Sequence, residues 1–402
     1  MPVAEQIKQS MASSSFIRKM FEEGIRMKAL YGEDNVYDFS LGNPDLEPPE
    51  QVKAAVRETA ALDEPGMHGY MPNAGYPFAR AAMAGKVSRE QGVPVEAGNI
   101  VMSVGAAGAL NAVLKAVLSP GDEVLVPAPF FSEYTHYAAN HGGRVVPVPA
   151  KPDFSPDIPA LAAAANEKTA VLLINSPNNP SGKVYSPEDI RALAAFLQAH
   201  KEKTGRTVVL VADEPYREIV YGGVQVAPVF PAWSESVIVT SFAKNLSLPG
   251  ERIGYAAVNP ASENAAELTD GIVFATRILG YVNAPAFFQR VIARSWNAPA
   301  DYTPYAARRQ ALSAVLRDAG ISFAEPEGAF YLFCRVPEPK QAAHRDLSGN
   351  DKAFCDHLKE FRILGVPGSG FCGPGWIRLA YCVSAQTISG SRQAFAEAVK
   401  AW

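Results

Sequence analysis

Val237-Ile238-Val239-Thr240-Ser241-Phe242-Ala243-Lys244-Asn245-Leu246-Ser247-Leu248-Pro249-Gly250-Glu251-Arg252-Ile253-Gly254-Tyr255 is the stretch on which the reading of this chain turns. Its apolar opening, Val237–Thr240, has the continuous hydrophobicity of a buried strand. Where that run stops, a single Lys stands among small and apolar neighbours. A Pro249-Gly250 turn follows, then Arg252. Held there, Lys244 is partly desolvated, so its neutral amine becomes accessible and can condense with a carbonyl. Arg252 is a fixed cation suited to a phosphate. An amine for an aldehyde beside a cation for a phosphate points to pyridoxal 5'-phosphate as the cofactor, although an isolated Ser-x-x-Lys reads more readily as a surface lysine at a strand end.

Working outward, short apolar runs alternate with helix-length segments. The runs are Ile100–Ser103, Glu123–Val126, Val145–Val148, Ala170–Ile174, Val208–Val211, Val237–Thr240 and Tyr255–Val258. Alanine- and leucine-rich stretches such as Ala109–Leu118, Ile158–Ala165 and Glu188–His200 lie between most of them. Strands apolar on both faces, separated by helices, predict an α/β fold with a mostly parallel seven-stranded sheet between helices. After Val258 long helical stretches (262–278 and 284–318) and strands at Gly328–Val336 and Trp376–Tyr381 predict a smaller α+β domain. The expected division is residues 1–48 as an N-terminal arm with part of the small domain, 49–285 as the large cofactor-binding domain, and 286–402 as the C-terminal small domain.

Ligands of parallel α/β sheets sit at the carboxyl ends of the strands, so the polar residues at those ends carry the functional reading. Gly105-Ala106-Ala107-Gly108 leads from strand into helix, where free N–H groups and the helix dipole suit an anion. Pro129-Phe130-Phe131 offers an aromatic to stack on a flat ring, though taken alone such aromatics read as core. Asn175-Ser176-Pro177-Asn178-Asn179-Pro180 is a rigid turn presenting an amide. Asp213-Glu214-Pro215-Tyr216 places a carboxylate after a buried strand, costly unless paired; against a pyridinium nitrogen it keeps the ring cationic. Taken alone, that Asp reads equally as a helix cap. Arg378 lies inside an apolar strand and needs a partner there: a substrate carboxylate or an internal acid.

Composition bounds the rest. The chain has 402 residues, a net charge of -4 and four cysteines, Cys334, Cys355, Cys372 and Cys382, without paired ligand spacing. This points to no nucleic acid, no membrane and no metal as partner, and scattered thiols fit a cytoplasmic enzyme. Met1–Gln6 lacks the pattern of a signal peptide.

The motifs Asn175–Gly182, Asp213–Tyr216, Ser241–Lys244 with Pro249–Tyr255, Gly328–Tyr331 and Pro367–Phe371 together resemble those of the class I/II aminotransferase family, fold-type I pyridoxal-phosphate enzymes. The resemblance runs from Leu41-Gly42-Asn43-Pro44-Asp45 to Ile377-Arg378-Leu379. It implies that Lys244 forms the internal aldimine and shuttles the proton. Asp213 would hold the pyridine N–H; Tyr216 and Asn179 would bond the phenolic oxygen; Phe131 would stack on the ring. Ser241, Arg252 and the backbone of Gly105, Ala106 and Ala107 would hold the phosphate. Arg378, with Gly42 and Asn179, would bind the substrate carboxylate. Tyr70 would reach the phosphate of a neighbouring subunit, implying a homodimer with shared active sites. Ala243 and Phe131 stand where many relatives carry Ser and Tyr or Trp, so one polar contact and one hydrogen bond are missing. The implied activity is a ping-pong transamination between an L-amino acid and a 2-oxo acid. Its alternatives are a C–S lyase or an aminocyclopropane-carboxylate-synthase-like enzyme of the same fold, and a catalytically silent regulatory module. The last needs a DNA-binding segment for which the first 36 residues are too short. For the substrate side chain, Arg277, Arg18 and Lys19 are candidate cations and Phe16, Tyr37 and Phe371 candidate apolar walls.

Overall fold

The computed structural model describes residues 3–13 and 16–402. Among the described residues thirteen strands run in chain order: β1 (Tyr37–Asp38), β2 (Ile100–Ser103), β3 (Glu123–Ala128), β4 (Arg144–Pro149), β5 (Thr169–Asn175), β6 (Val209–Asp213), β7 (Ser236–Ser241), β8 (Gly254–Val258), β9 (Phe323–Ala324), β10 (Tyr331–Arg335), β11 (Ile363–Leu364), β12 (Val366–Pro367) and β13 (Trp376–Ala380). The seven expected apolar runs form one sheet in the order β2-β8-β7-β6-β5-β3-β4. β8 alone runs against the direction of the other six, antiparallel to both β2 and β7.

Both faces of this sheet are covered, which is why its strands show no polar alternation. One core gathers Met102, Leu125, Leu172, Leu210 and Ile238 under the helices Pro77–Gln91 and Pro187–Thr204. The opposite core joins Val101, Val124, Val171, Val211 and Val239 to the helices Gly105–Val117 and Ala265–Ile278. A four-stranded antiparallel sheet, β12-β13-β10-β9, carries a second body of core with Phe330, Leu332, Leu379, Phe395 and Trp402. Short parallel strands β1 and β11 tie residues 37–38 to this second body.

The helix expected over 284–318 is two helices, Ala286–Ser295 and Thr303–Ala319. Pro299 cannot sit in a helix interior, and Asp301 restarts the chain by accepting bonds from the Thr303 backbone N–H and hydroxyl. The first of the two packs on the large-sheet core through Val291 and Ile292, the second on the small-sheet core through Leu312 and Leu316. Helix Phe16–Tyr31 seats Met20 and Met27 against Leu364, Val366 and Phe371. The side chains of Phe16, Arg18 and Lys19 lie outside the described residues. No described helix is long and apolar enough to cross a membrane.

Candidate active site

The carboxyl ends of β5, β6 and β7, the start of helix Gly105–Val117 and the two strands β10 and β13 converge on one cavity of about 460 Å³. Lys244 enters it three residues after β7 ends. Its Nζ donates to the Gly42 carbonyl at 2.7 Å. Burial pushes its pKa down to about 8, and the nearby cations Arg378 and Arg252 add to the shift. An amine in that range is partly neutral near physiological pH, as a nucleophile toward an aldehyde must be.

Asp213, the last residue of β6, is buried and caps no helix. Its Oδ2 accepts from Tyr134 Oη at 2.5 Å, while Oδ1 has no partner. Burial raises the carboxyl to about pH 7, opposed by the Tyr134 bond and reinforced by Glu214. A carboxylate oxygen left bare inside a fold is expensive unless a ligand donor meets it. Asn175 steadies this corner: its amide donates to the Asp213 carbonyl and its Oδ1 accepts the Asn179 backbone N–H.

Arg378 on β13 is the other unsatisfied group. It is 2% exposed, yet no acidic side chain among the described residues pairs with it. Its Nη1 donates to Asn179 Oδ1 at 3.1 Å and its Nη2 to the Ser40 carbonyl at 2.6 Å, leaving Nε without an acceptor. The rings of Tyr331 and Phe371 lie 4.6 and 4.8 Å from the guanidinium. A buried guanidinium held by neutral acceptors and aromatic faces keeps its charge available for an incoming carboxylate.

At the far end, the first turn of helix Gly105–Val117 brings Ala106 and Ala107 to the cavity wall. Gly105 adopts φ +76°, and a Cβ built there would stand 2.9 Å from Arg252 Nη2. Arg252, itself at φ 53°, is steadied by a bond from Nη1 to the Pro249 carbonyl. Ser241 closes β7 beside them. Unpaired helix N–H groups, a hydroxyl and a guanidinium in one corner form an anion cradle.

Phe131 lines the cavity edge-on to Tyr134, with ring centroids 5.6 Å apart. Tyr216 turns its hydroxyl to Tyr331 Oη at 2.8 Å. The sequence-predicted residues Gly42, Ala106, Ala107, Phe131, Asn179, Asp213, Tyr216, Ser241, Lys244, Arg252 and Arg378 therefore share one wall-to-wall site. Tyr70 does not line it and is 93% exposed. Arg277 lies over the ring of Phe274 on an outer helix, and Tyr37 packs near Gly390, both away from the cavity. Tyr134 and Tyr331 are the functional side chains the sequence reading leaves without a role. Buried tyrosines beside Phe-rich runs look like core until their partners, 79 and 115 positions away, are placed.

The family profile described as aminotransferase class I and II matches residues 34–394. Among curated relatives, a probable aspartate/prephenate aminotransferase of Thermus aquaticus is 32% identical over 365 residues, covering 90% of this chain and 91% of the relative. An aspartate aminotransferase of Pyrococcus abyssi is 29% identical, covering 94% of each. Among solved structures, an aminotransferase from Eubacterium rectale superposes with TM-score 0.93 at 38% identity, covering 100% of this chain and 99% of the other. The aspartate aminotransferase of Thermus thermophilus with maleate gives 0.85 at 28% identity, covering 99% and 100%. The chain belongs to the class I and II aminotransferase family. It is a pyridoxal 5'-phosphate-dependent aminotransferase, and the bare Asp213 oxygen, the Gly105–Arg252 cradle and the low-pKa Lys244 fit that cofactor.

Proposed function

We propose that this enzyme moves the amino group of an L-α-amino acid, aspartate first among donors, to a 2-oxo acid by a ping-pong mechanism, with the site residues in the following roles. Pyridoxal 5'-phosphate, when bound, supplies an aldehyde that takes the amino group and a cationic ring that withdraws electrons from Cα. Lys244 would hold the cofactor's aldehyde end and move a proton at its Nζ. Asp213 would accept the ring N–H. Asn179 and Tyr216 would meet the phenolic oxygen, and Phe131 would cover the ring. Ser241, Arg252 and the backbone N–H groups of Gly105, Ala106 and Ala107 would take the phosphate. Arg378 and the Gly42 backbone would take the α-carboxylate.

The observation that carries the substrate assignment is Arg378: buried, lining the cavity, and without an acidic partner among the described residues. Aspartate is put first because relatives at 27–32% identity carry that name. A homodimer with Tyr70 serving the neighbouring site, a cytoplasmic location, and a large cofactor domain followed by a small C-terminal one complete the reading. The helix Ala286–Ser295 goes with the large domain, on whose core it packs.

The test is spectroscopic. The purified, cofactor-loaded protein is mixed with single L-amino acids while its visible band is followed. Aspartate is expected to bleach the band fastest, and 2-oxoglutarate to restore it. Faster bleaching by an aromatic amino acid would replace aspartate as donor. Accumulation of pyruvate and ammonia with the band intact would overturn transamination of that donor.

A further inference from the structure

Tyr331 stands where three groups of the site meet. Its hydroxyl is 2.8 Å from Tyr216 Oη, and its ring lies under the Arg378 guanidinium at 4.6 Å. The same hydroxyl fills the space a side chain at residue 42 would need: a Cβ built on Gly42 would fall 1.9 Å from it. β10 fixes this placement, since Tyr331 opens the strand and pairs with Ala380 of β13. Phe330 holds Tyr216 from the side, edge-on, with ring centroids 5.4 Å apart.

Two hydroxyls sharing one bond leave one proton over, and which tyrosine keeps it decides what the pair can do. The cation over the Tyr331 ring favours its ionised form. Burial raises both phenols, Tyr331 to about 12 and Tyr216 further, with Arg378 acting against the rise in each. The more acidic hydroxyl is the better donor. We propose that Tyr331 is a positioning residue for this reaction: it donates to Tyr216 and thereby commits the Tyr216 proton to the cavity, toward the cofactor's phenolic oxygen. This rests on Tyr216 serving that oxygen, as assigned above. A chain of two donors in line is polarised, so each bond is stronger than it would be alone. Gly42 belongs to the same device, because any side chain there would displace the hydroxyl that starts the chain.

A donor aimed at the phenolic oxygen favours its ionised form, so the proton that controls the visible band leaves at lower pH. The experiment is a pH titration of that band in the loaded wild type, Tyr331→Phe, Tyr216→Phe and the double variant. Tyr331→Phe keeps the ring and its packing, and is expected to raise the midpoint by about half to one pH unit. Tyr216→Phe should raise it more, and the double variant no further than Tyr216→Phe alone. If Tyr216→Phe moves the midpoint and Tyr331→Phe does not, Tyr331 only packs and the inference falls. If neither moves it, the role given to Tyr216 falls as well. Should Tyr331→Phe not fold, Gly42→Ala must give the same upward shift, and its absence overturns the inference.

Discussion

Lys244 and Arg378 are both cations stripped of water, and the same burial has opposite uses in them. For Lys244, burial favours the neutral amine, with a folded pKa of about 8 against the ordinary 10.5. A group whose pKa is depressed on folding is charged below that value and available as a nucleophile above it. The rate at which the cofactor-free protein develops its visible band with added pyridoxal phosphate should therefore rise with pH and level off just above pH 8. A rate still climbing tenfold per unit beyond pH 9 would show an unperturbed amine, and Lys244→Ala should form no such band. For Arg378 burial does not remove the proton within any working range, so the group waits as a charge for a carboxylate. Arg378→Lys keeps the charge but loses the fork that reaches Asn179, Ser40 and the substrate together. A fall in kcat/KM of about a hundredfold is expected, mostly in KM, measured with the donor that bleaches the wild type. An unchanged KM would mean that the carboxylate binds elsewhere.

Elements decide how accurately these residues meet, and here the reading from sequence divides. The seven strands of the large sheet were legible because strands buried on both faces have uninterrupted apolar runs, and their ends are where the chain turns polar: Asn175, Asp213, Ser241. What escaped was short or relational. β11 is two residues long, with no periodicity to detect. The break between Ser295 and Thr303 interrupts an otherwise helical composition. Tyr134 and Tyr331 acquire roles only through long-range packing. The strand-to-helix turn at Gly105 was readable as an anion cradle, but its dependence on Arg252 was not. That dependence gives a prediction. Gly105→Ala forces an L side chain into φ +76° and against Arg252 Nη2. It should cost about 1 to 2 kcal/mol of folding stability. It should also weaken pyridoxal phosphate binding to the cofactor-free protein severalfold while leaving unphosphorylated pyridoxal binding nearly unchanged. Equal losses for both ligands would place the defect in the ring site instead of the cradle.

At the scale of the whole molecule, the cavity is closed on the sides described above, yet its expected phosphate contact Tyr70 does not line it and is 93% exposed. Phe78, Phe274 and Ile278 are also large apolar side chains with roughly half their surface in water. Large apolar side chains left in water are what the proposed homodimer would cover. A symmetric dimer would cover them twice with one kind of contact. Sedimentation should accordingly report a particle of twice the 43.0 kDa chain. Size alone does not show that the sites are shared, so the decisive measurement uses hybrids. Lys244→Ala chains have no nucleophile, and Tyr70→Ala chains lack the contact their partner would need. Each variant homodimer should be poorly active at limiting cofactor. When the two are unfolded, mixed and refolded, about half the dimers are hybrids, and each hybrid contains one site with both Lys244 and Tyr70 intact. Activity should return to about a quarter of the wild-type level. If Tyr70 served its own chain's site, every hybrid site would lack one of the two residues and mixing would restore nothing.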